Sequence, residues 1–146
     1  MQSKILGTSG ELRVAHELYK RGYACFAEMG DTSRIDLIAV IGKRLVRIQV
    51  KSLSMRRGAY ELSNRKKAKG YEFFYGVDDV DVFALYCTEH DCVAWVKASD
   101  FIVDGKRSEL RLRPELASNG QSNPDNLLSN YMNFNRAFDL EDAIEL

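Results

Sequence analysis

Apolar positions recur along the first third of the chain at two different spacings, and the switch between them marks a change of element. Leu12, Ala15, Leu18 and Tyr19 fall at helical intervals, with Arg13, Glu17 and Lys20 on other faces, which predicts a helix over 9–21. Thr8-Ser9-Gly10-Glu11 has the spacing of a capping box, and Gly22 suits the stop. Residues 23–28 read as a first strand, and Asp31-Thr32-Ser33 as a polar turn. Ile35 to Ile41 is nearly all apolar, the pattern of a strand covered on both faces. After Gly42-Lys43 the pattern becomes alternation. From Leu45 to Lys51 a β-branched, apolar run is broken by Arg47, Gln49 and Lys51 at period two. Two such runs joined by a short turn make a hairpin.

Residues 52–70 form a basic block, with Gly58 and Gly70 as flexible points. Val80 to Cys87 and Cys92 to Val96 are further strands around the polar turn Thr88-Glu89-His90-Asp91, and Ser108 to Arg113 alternates as an outer strand. Residues 117–126 form a loop. Asn123-Pro124 opens a short helix through Leu128, and the acidic tail after Arg136 ends in a helical turn or two. No internal repeat occurs. This order of elements gives an α/β or α+β fold on a mixed sheet, and 146 residues is the size of one domain.

Composition adds exclusions. No run of eighteen apolar residues occurs, so no membrane span is expected, and no secretory signal is evident at Met1-Gln2-Ser3-Lys4. Three cysteines, Cys25, Cys87 and Cys92, are the wrong number for a disulfide framework, which points to a reducing cytosol. The net charge is zero, but it is unevenly spread. Residues 43–69 carry ten basic side chains against Glu61 alone, and residues 70–146 carry six basic and fifteen acidic. A partner meets the local field rather than the total, so the middle of the chain is an electrostatic footprint for a polyphosphate. A solvated basic loop is the alternative.

The chemistry concentrates between Ser33 and Ser52. Asp36 stands immediately before the apolar run Leu37-Ile38-Ala39-Val40, and Gln49 and Lys51 lie two apart on the next strand. Period two puts both side chains on one face, with Val50 pointing the other way, and a hairpin register brings Asp36 beside that face. One carboxylate, one amide oxygen and one ammonium then converge. Mg²⁺ takes oxygen ligands of this kind together with waters and phosphate oxygens, and it can activate water and neutralise charge at phosphorus. Lys51 could hold that water or stabilise the transition state. The plainer alternative is that Gln49 and Lys51 form the wet face of a strand, Asp36 caps a turn, and Glu11 closes the capping box with Thr8.

Taken together, Gly7…Gly10-Glu11 opening a helix, Arg21-Gly22-Tyr23 closing it, Ile35-Asp36-Leu37-Ile38-Ala39 and Ile48-Gln49-Val50-Lys51-Ser52 resemble the PD-(D/E)XK nucleases. Among these the sequence is similar to the group I intron-encoded homing endonucleases of cyanobacterial type, and more distantly to archaeal Holliday-junction resolvases. The resemblance covers roughly residues 5–97, leaving 98–146 as a C-terminal extension of one nuclease domain, 1–146. It implies a restriction-endonuclease-like α/β core, with a mixed central sheet flanked by helices, and a metal-dependent DNA phosphodiesterase. Carried over by position, Glu11, Asp36, Gln49 and Lys51 are catalytic. Glu11, Asp36, Gln49 and the Val50 carbonyl are metal ligands, for Mg²⁺ or alternatively Mn²⁺. Two departures stand out. Ile35 replaces the proline of the motif, and Gln49 replaces an acid, which removes one negative charge from the site.

The expectation is therefore a sequence-specific double-strand DNA endonuclease of the homing type in a bacterial cytoplasm. A junction resolvase and a non-catalytic DNA-binding or assembly module are the alternatives. Arg47, Arg56, Arg57, Arg65, Lys66, Lys67 and Lys69 are candidate contacts to double-stranded DNA. One active site per chain means that cutting both strands needs at least a dimer, and the resemblance implies a tetramer. Cys87, His90 and Cys92 are zinc-type residues without an obvious fourth ligand. His16 reads as a helix-surface residue and Trp95 as core or interface.

Overall fold

The computed structural model describes residues 3–104, 106–115 and 126–141. The helix α1 spans Ser3–Lys20. Strands β1 (Cys25–Ala27), β2 (Leu37–Ile41) and β3 (Arg44–Leu53) follow, then β4 (Tyr60–Ser63), β5 (Arg65–Ala68), β6 (Tyr71–Phe74), β7 (Val82–Cys87), β8 (Cys92–Lys97) and β9 (Glu109–Leu112). A 3₁₀ turn at Leu128–Tyr131 and the short helix α2, Phe134–Ala137, come last. Five strands form a mixed sheet in the order β1-β2-β3-β7-β8. Only the β3–β7 pair is parallel; the others are antiparallel. The crossover between β3 and β7 carries the β5–β6 ribbon and also β4, which pairs with β9 from beyond β8. The expected mixed α/β architecture is present.

Alternation along the central strands divides the core into two layers. Val46, Ile48 and Val50 of β3 and Val82 and Ala84 of β7 face α1 and α2, where Val14, Leu18, Trp95, Phe134 and Phe138 complete one cluster. Phe83, Leu85 and Cys87 face the opposite way, into a second cluster with Tyr60, Leu62, Tyr75 and Leu112. The segment beyond residue 97 thus contributes to both layers. Trp95 is core, in edge-to-face contact with Phe134 and Phe138 at 5.0 and 5.4 Å. His16 is on the exposed surface of α1.

Several expectations need correction. The helix begins six residues before position 9, so Thr8 and Glu11 lie inside it and no capping box forms. Its buried face is Gly10, Val14 and Leu18, whereas Leu12 and Tyr19 are exposed. Gly10 determines this phase. A Cβ there would lie 2.0 Å from Ser52 Oγ, so the glycine lets the helix approach β3 closely. The Ser52 hydroxyl in turn donates to the Leu6 carbonyl at 3.0 Å, tying the added turn to the sheet. The β2 strand is covered on one face only. Leu37, Ala39 and Ile41 are buried, but Ile38 and Val40 are half-buried beside exposed Phe26 and Leu45.

The basic block is not a loop. It contains β4 and β5, with Gly58 and Gly70 at turns in left-handed conformation, φ +77° and +89°. Asn64, fully buried between these strands, holds the crossover in place. Its amide donates to the Tyr75 and Lys106 carbonyls, and its side-chain oxygen accepts from the Ser108 amide at 2.8 Å. The expected helix start at Asn123-Pro124 and nearly all of the 117–126 loop lie outside the described residues.

Candidate active site

Asp36 is bonded to β3 on both sides of Gln49. Its amide donates to the Ile48 carbonyl at 2.9 Å, and its carboxylate accepts from the Val50 amide at 2.8 Å. The register Leu37↔Ile48 and alternation along β3 put Gln49 and Lys51 on the face opposite α1. Gln49 is buried there, beside Phe83 of β7. Glu11, the residue after the close-packed Gly10, comes from α1 to face Asp36 across one cleft. The cleft between them, about 420 Å³, is also lined by Lys4, Glu28 and Asp31. Glu28 is occupied in fixing the loop, accepting from the Thr32 amide and hydroxyl and the Ser33 amide.

The local electrostatics follow from this crowding. Burial raises the Glu11 carboxyl above its ordinary pKa, and neighbouring Asp36 and Asp31 raise it further. Burial also raises Asp36, opposed by the Val50 N–H, Lys66, Glu11 and Lys51. Burial pushes the Lys51 ammonium down, Lys66 pushes it further, and Asp36 partly restores it. The Lys51 Nζ lies 5.6 Å from the centroid of the Tyr75 ring. Two carboxyls lining one polar cleft are oxygen donors of the kind a hard divalent cation takes. Among the described residues no group of three His, Cys, Asp or Glu side chains converges. The Gln49 amide and the Val50 carbonyl are uncharged oxygens of the neighbouring strand β3.

The seven candidate DNA contacts do not form one surface. Arg47 is held by Asp81, whose carboxylate accepts from its amide, Nε and Nη2. Arg65 pairs with Glu72 across the β5–β6 ribbon at 2.6 Å. Arg56, Arg57, Lys67 and Lys69 are exposed and have no ion pair among the described residues. Lys66 is also exposed, but it acts electrostatically on Asp36 and Lys51. His90 is engaged by the Tyr60 hydroxyl at 2.6 Å, and Cys87 is buried.

Tyr75 and Arg34 went unread in the sequence. Tyr75 is 1% exposed and its hydroxyl has no hydrogen-bond partner among the described residues. Burial and the Asp36 carboxylate push its pKa up to about 12. The signal was present as aromatic residues at 71, 73 and 75 between Gly70 and Gly76, a period-two stripe on a strand. Arg34 lies over the Phe73 ring at 3.9 Å and bonds Asp79 at 2.8 Å.

Gln49 and Lys51 thus stand on the central strand β3, with Asp36 bonded beside them and Glu11 lining the cleft at Asp36. The family model described as PD-(D/E)XK endonuclease matches residues 1–133, and the chain belongs to that family. It is thus a nuclease, of a family that generally uses divalent metal ions. Among solved structures it is similar to the bacterial homing endonuclease I-Ssp6803I, with 23% identity, 90% of this chain and 88% of that one covered, and a TM-score of 0.73. It is also similar to Hjc, a Holliday junction resolvase from Archaeoglobus fulgidus, with 19% identity, 72% and 83% coverage, and a TM-score of 0.50. No curated protein matches the sequence. No described helix is long and apolar enough to cross a membrane.

Proposed function

We propose that this protein is a sequence-specific, double-strand DNA endonuclease of the homing type, dependent on Mg²⁺ with Mn²⁺ as a substitute. The observation that carries this is the Glu11–Asp36 carboxyl pair in one cleft, held against β3 by the Val50 amide, with half-buried Lys51 in the field of Asp36. Glu11, Asp36, the Gln49 amide and the Val50 carbonyl would hold the ion. When bound, it supplies Lewis-acid charge for the phosphoryl oxygens and acidifies a water. Asp36, fixed at two points on β3, orients the attacking water for in-line approach. Lys51, its ammonium brought down by burial, donates a hydrogen bond where negative charge grows on the phosphoryl group. Gln49, sealed under the sheet face, contributes an oxygen without adding to the repulsion that phosphate meets from Asp36.

Arg47 and Arg65 already serve Asp81 and Glu72, so Arg56, Arg57, Lys66, Lys67 and Lys69 are the cations we assign to DNA. One site per chain requires at least a dimer to cut both strands, and we infer a tetramer from the homing-type reading, acting in the cytoplasm of a bacterium that carries the intron. The homing reading is preferred to the resolvase because the likeness to I-Ssp6803I spans more of this chain. The test is cleavage of linear duplex and four-way-junction DNA with Mg²⁺, Mn²⁺ or chelator. Metal-dependent cutting at defined sites in linear DNA supports the proposal. Cutting confined to junctions makes it a resolvase, and binding without cutting on either substrate makes it a non-catalytic module.

A further inference from the structure

The two faces of the β5–β6 ribbon lead to different places. Directly paired residues share a face, so the pair Lys66↔Phe73 lies on one side, and Arg65↔Phe74 and Lys67↔Glu72 on the other. The Arg65–Lys67 side opens onto a basic cleft of about 350 Å³ shared with Arg56, Arg107 and Arg111. The Lys66 side continues into the catalytic centre through a row of rings. Phe73 contacts Tyr75 at 5.1 Å, and the Tyr75 ring lies under the Lys51 ammonium. Lys66 is an exposed cation on this wall, with Asp36 and Lys51 in its electrostatic field. On the same wall, the buried Tyr75 hydroxyl has no partner among the described residues. A buried donor without an acceptor is costly, and a phosphoryl oxygen or ordered water arriving with the substrate would satisfy it.

We propose that Lys66 is a second catalytic lysine, which contacts the non-bridging oxygens of the scissile phosphate from the ribbon side while Lys51 contacts them from the sheet. This rests on the endonuclease reading above and deepens it: a residue that the charge run presents as one more DNA contact is set by strand alternation on the ribbon face whose rings lead to Lys51. The sheet supplies Asp36, Gln49 and Lys51, and the ribbon supplies the opposing cation. The site with one acid fewer than its motif is thereby ringed by two lysines, a charge balance suited to a dianionic transition state.

The test uses the full chain and supercoiled plasmid DNA in Mn²⁺, with single-turnover nicking measured at saturating protein and affinity measured on a random-sequence 30-base-pair duplex. Lys66→Ala should lower the saturating rate by about 100-fold, the scale of losing one transition-state donor, while ground-state affinity falls much less, as for a contact made chiefly in the transition state. Lys66→Arg should recover most of the rate, and Lys67→Ala, on the other face, should show its loss in affinity. Because Lys66 disfavours both a cation near Asp36 and the charged form of Lys51, Lys66→Ala should bind Mn²⁺ more tightly by calorimetry. A wild-type saturating rate in Lys66→Ala, or unchanged Mn²⁺ affinity, overturns the assignment. If the wild type leaves a plasmid without its target intact, the Mn²⁺ titration decides whether Lys66 faces the metal-binding carboxyls. A wild type that neither nicks nor binds Mn²⁺ overturns both.

Discussion

Replacing Asp36 by Ala and by Asn separates its charge from its hydrogen bond. The carboxylate accepts from the Val50 amide at 2.8 Å, and Val50 is buried. Asp36→Ala leaves that N–H without an acceptor, a loss of about 1–3 kcal/mol. Asp36→Asn keeps an oxygen in the same place. The charge acts in the opposite direction. The folded-state pKa of Asp36 is raised even after the attraction of Lys66 and Lys51 is included, so its ionised form is disfavoured by the fold. The stability associated with the protonated carboxyl is fully present below the unfolded pKa and is lost as pH rises through the raised folded value. The neutral Asn escapes that loss. Asp36→Asn should therefore be at least as stable as wild type at pH 8, with the advantage shrinking as the pH is lowered through the carboxyl range. Asp36→Ala should lie about 1–3 kcal/mol below Asp36→Asn at every pH. Both should lose cleavage by at least about a thousandfold, or ~4 kcal/mol of barrier, while retaining DNA binding, since less negative charge faces phosphate. Urea denaturation at pH 5 and pH 8, with cleavage and binding on the same preparations, gives all of these values. Near-wild-type cutting by either variant would refute the site, and Asp36→Ala as stable as Asp36→Asn would refute the role of the Val50 bond.

Gln49→Glu should tighten metal binding and change activity without abolishing it, because it adds one negative charge to the set formed by Glu11 and Asp36; an identical metal titration for both proteins means that Gln49 is not a ligand. Arg56→Ala and Lys67→Ala should each make the slope of log affinity against log salt shallower by about 0.9 on duplex DNA, read from binding at several salt concentrations, and unchanged slopes would return these residues to the solvated surface. Gly10→Ala should destabilise the protein despite a helix-propensity gain of about 1 kcal/mol, since the new Cβ meets Ser52 Oγ at 2.0 Å. In a Ser52→Ala background the same change should become neutral or stabilising, so a double-mutant cycle with no coupling removes the close-approach argument. Asn64→Ala should cost on the order of 3 kcal/mol by denaturation, because the Ser108 amide and the Tyr75 and Lys106 carbonyls lose their buried partner.

How far the sequence reached can be followed residue by residue. Alternation at Arg47, Gln49 and Lys51 located those side chains on one face of β3, and the polar residue before an apolar run located Asp36 at the head of β2. These features are local: a strand's period and a short hairpin fix them whatever the rest of the chain does. The helix was legible as an element but not in its phase. Leu12 and Tyr19 have the apolar character of a core stripe, yet Gly10, Val14 and Leu18 are buried, because what decides a helix face is the surface it meets, here Ser52 and Val50 of β3. Glu11 follows from that phase: next to the closest contact with the sheet, it reaches Asp36 instead of capping a helix. The basic run was visible as charge, but charge carries no direction. Only the pairing of β5 with β6, in a crossover held by Asn64, puts Lys66 on the Phe73 face of the ribbon and Arg65 and Lys67 on the other. Short-range periodicity thus determined which residues share a strand face. The site itself joins α1, the β2–β3 hairpin and the β5–β6 ribbon across long stretches of chain, and only the buried contacts of the folded molecule could bring them together.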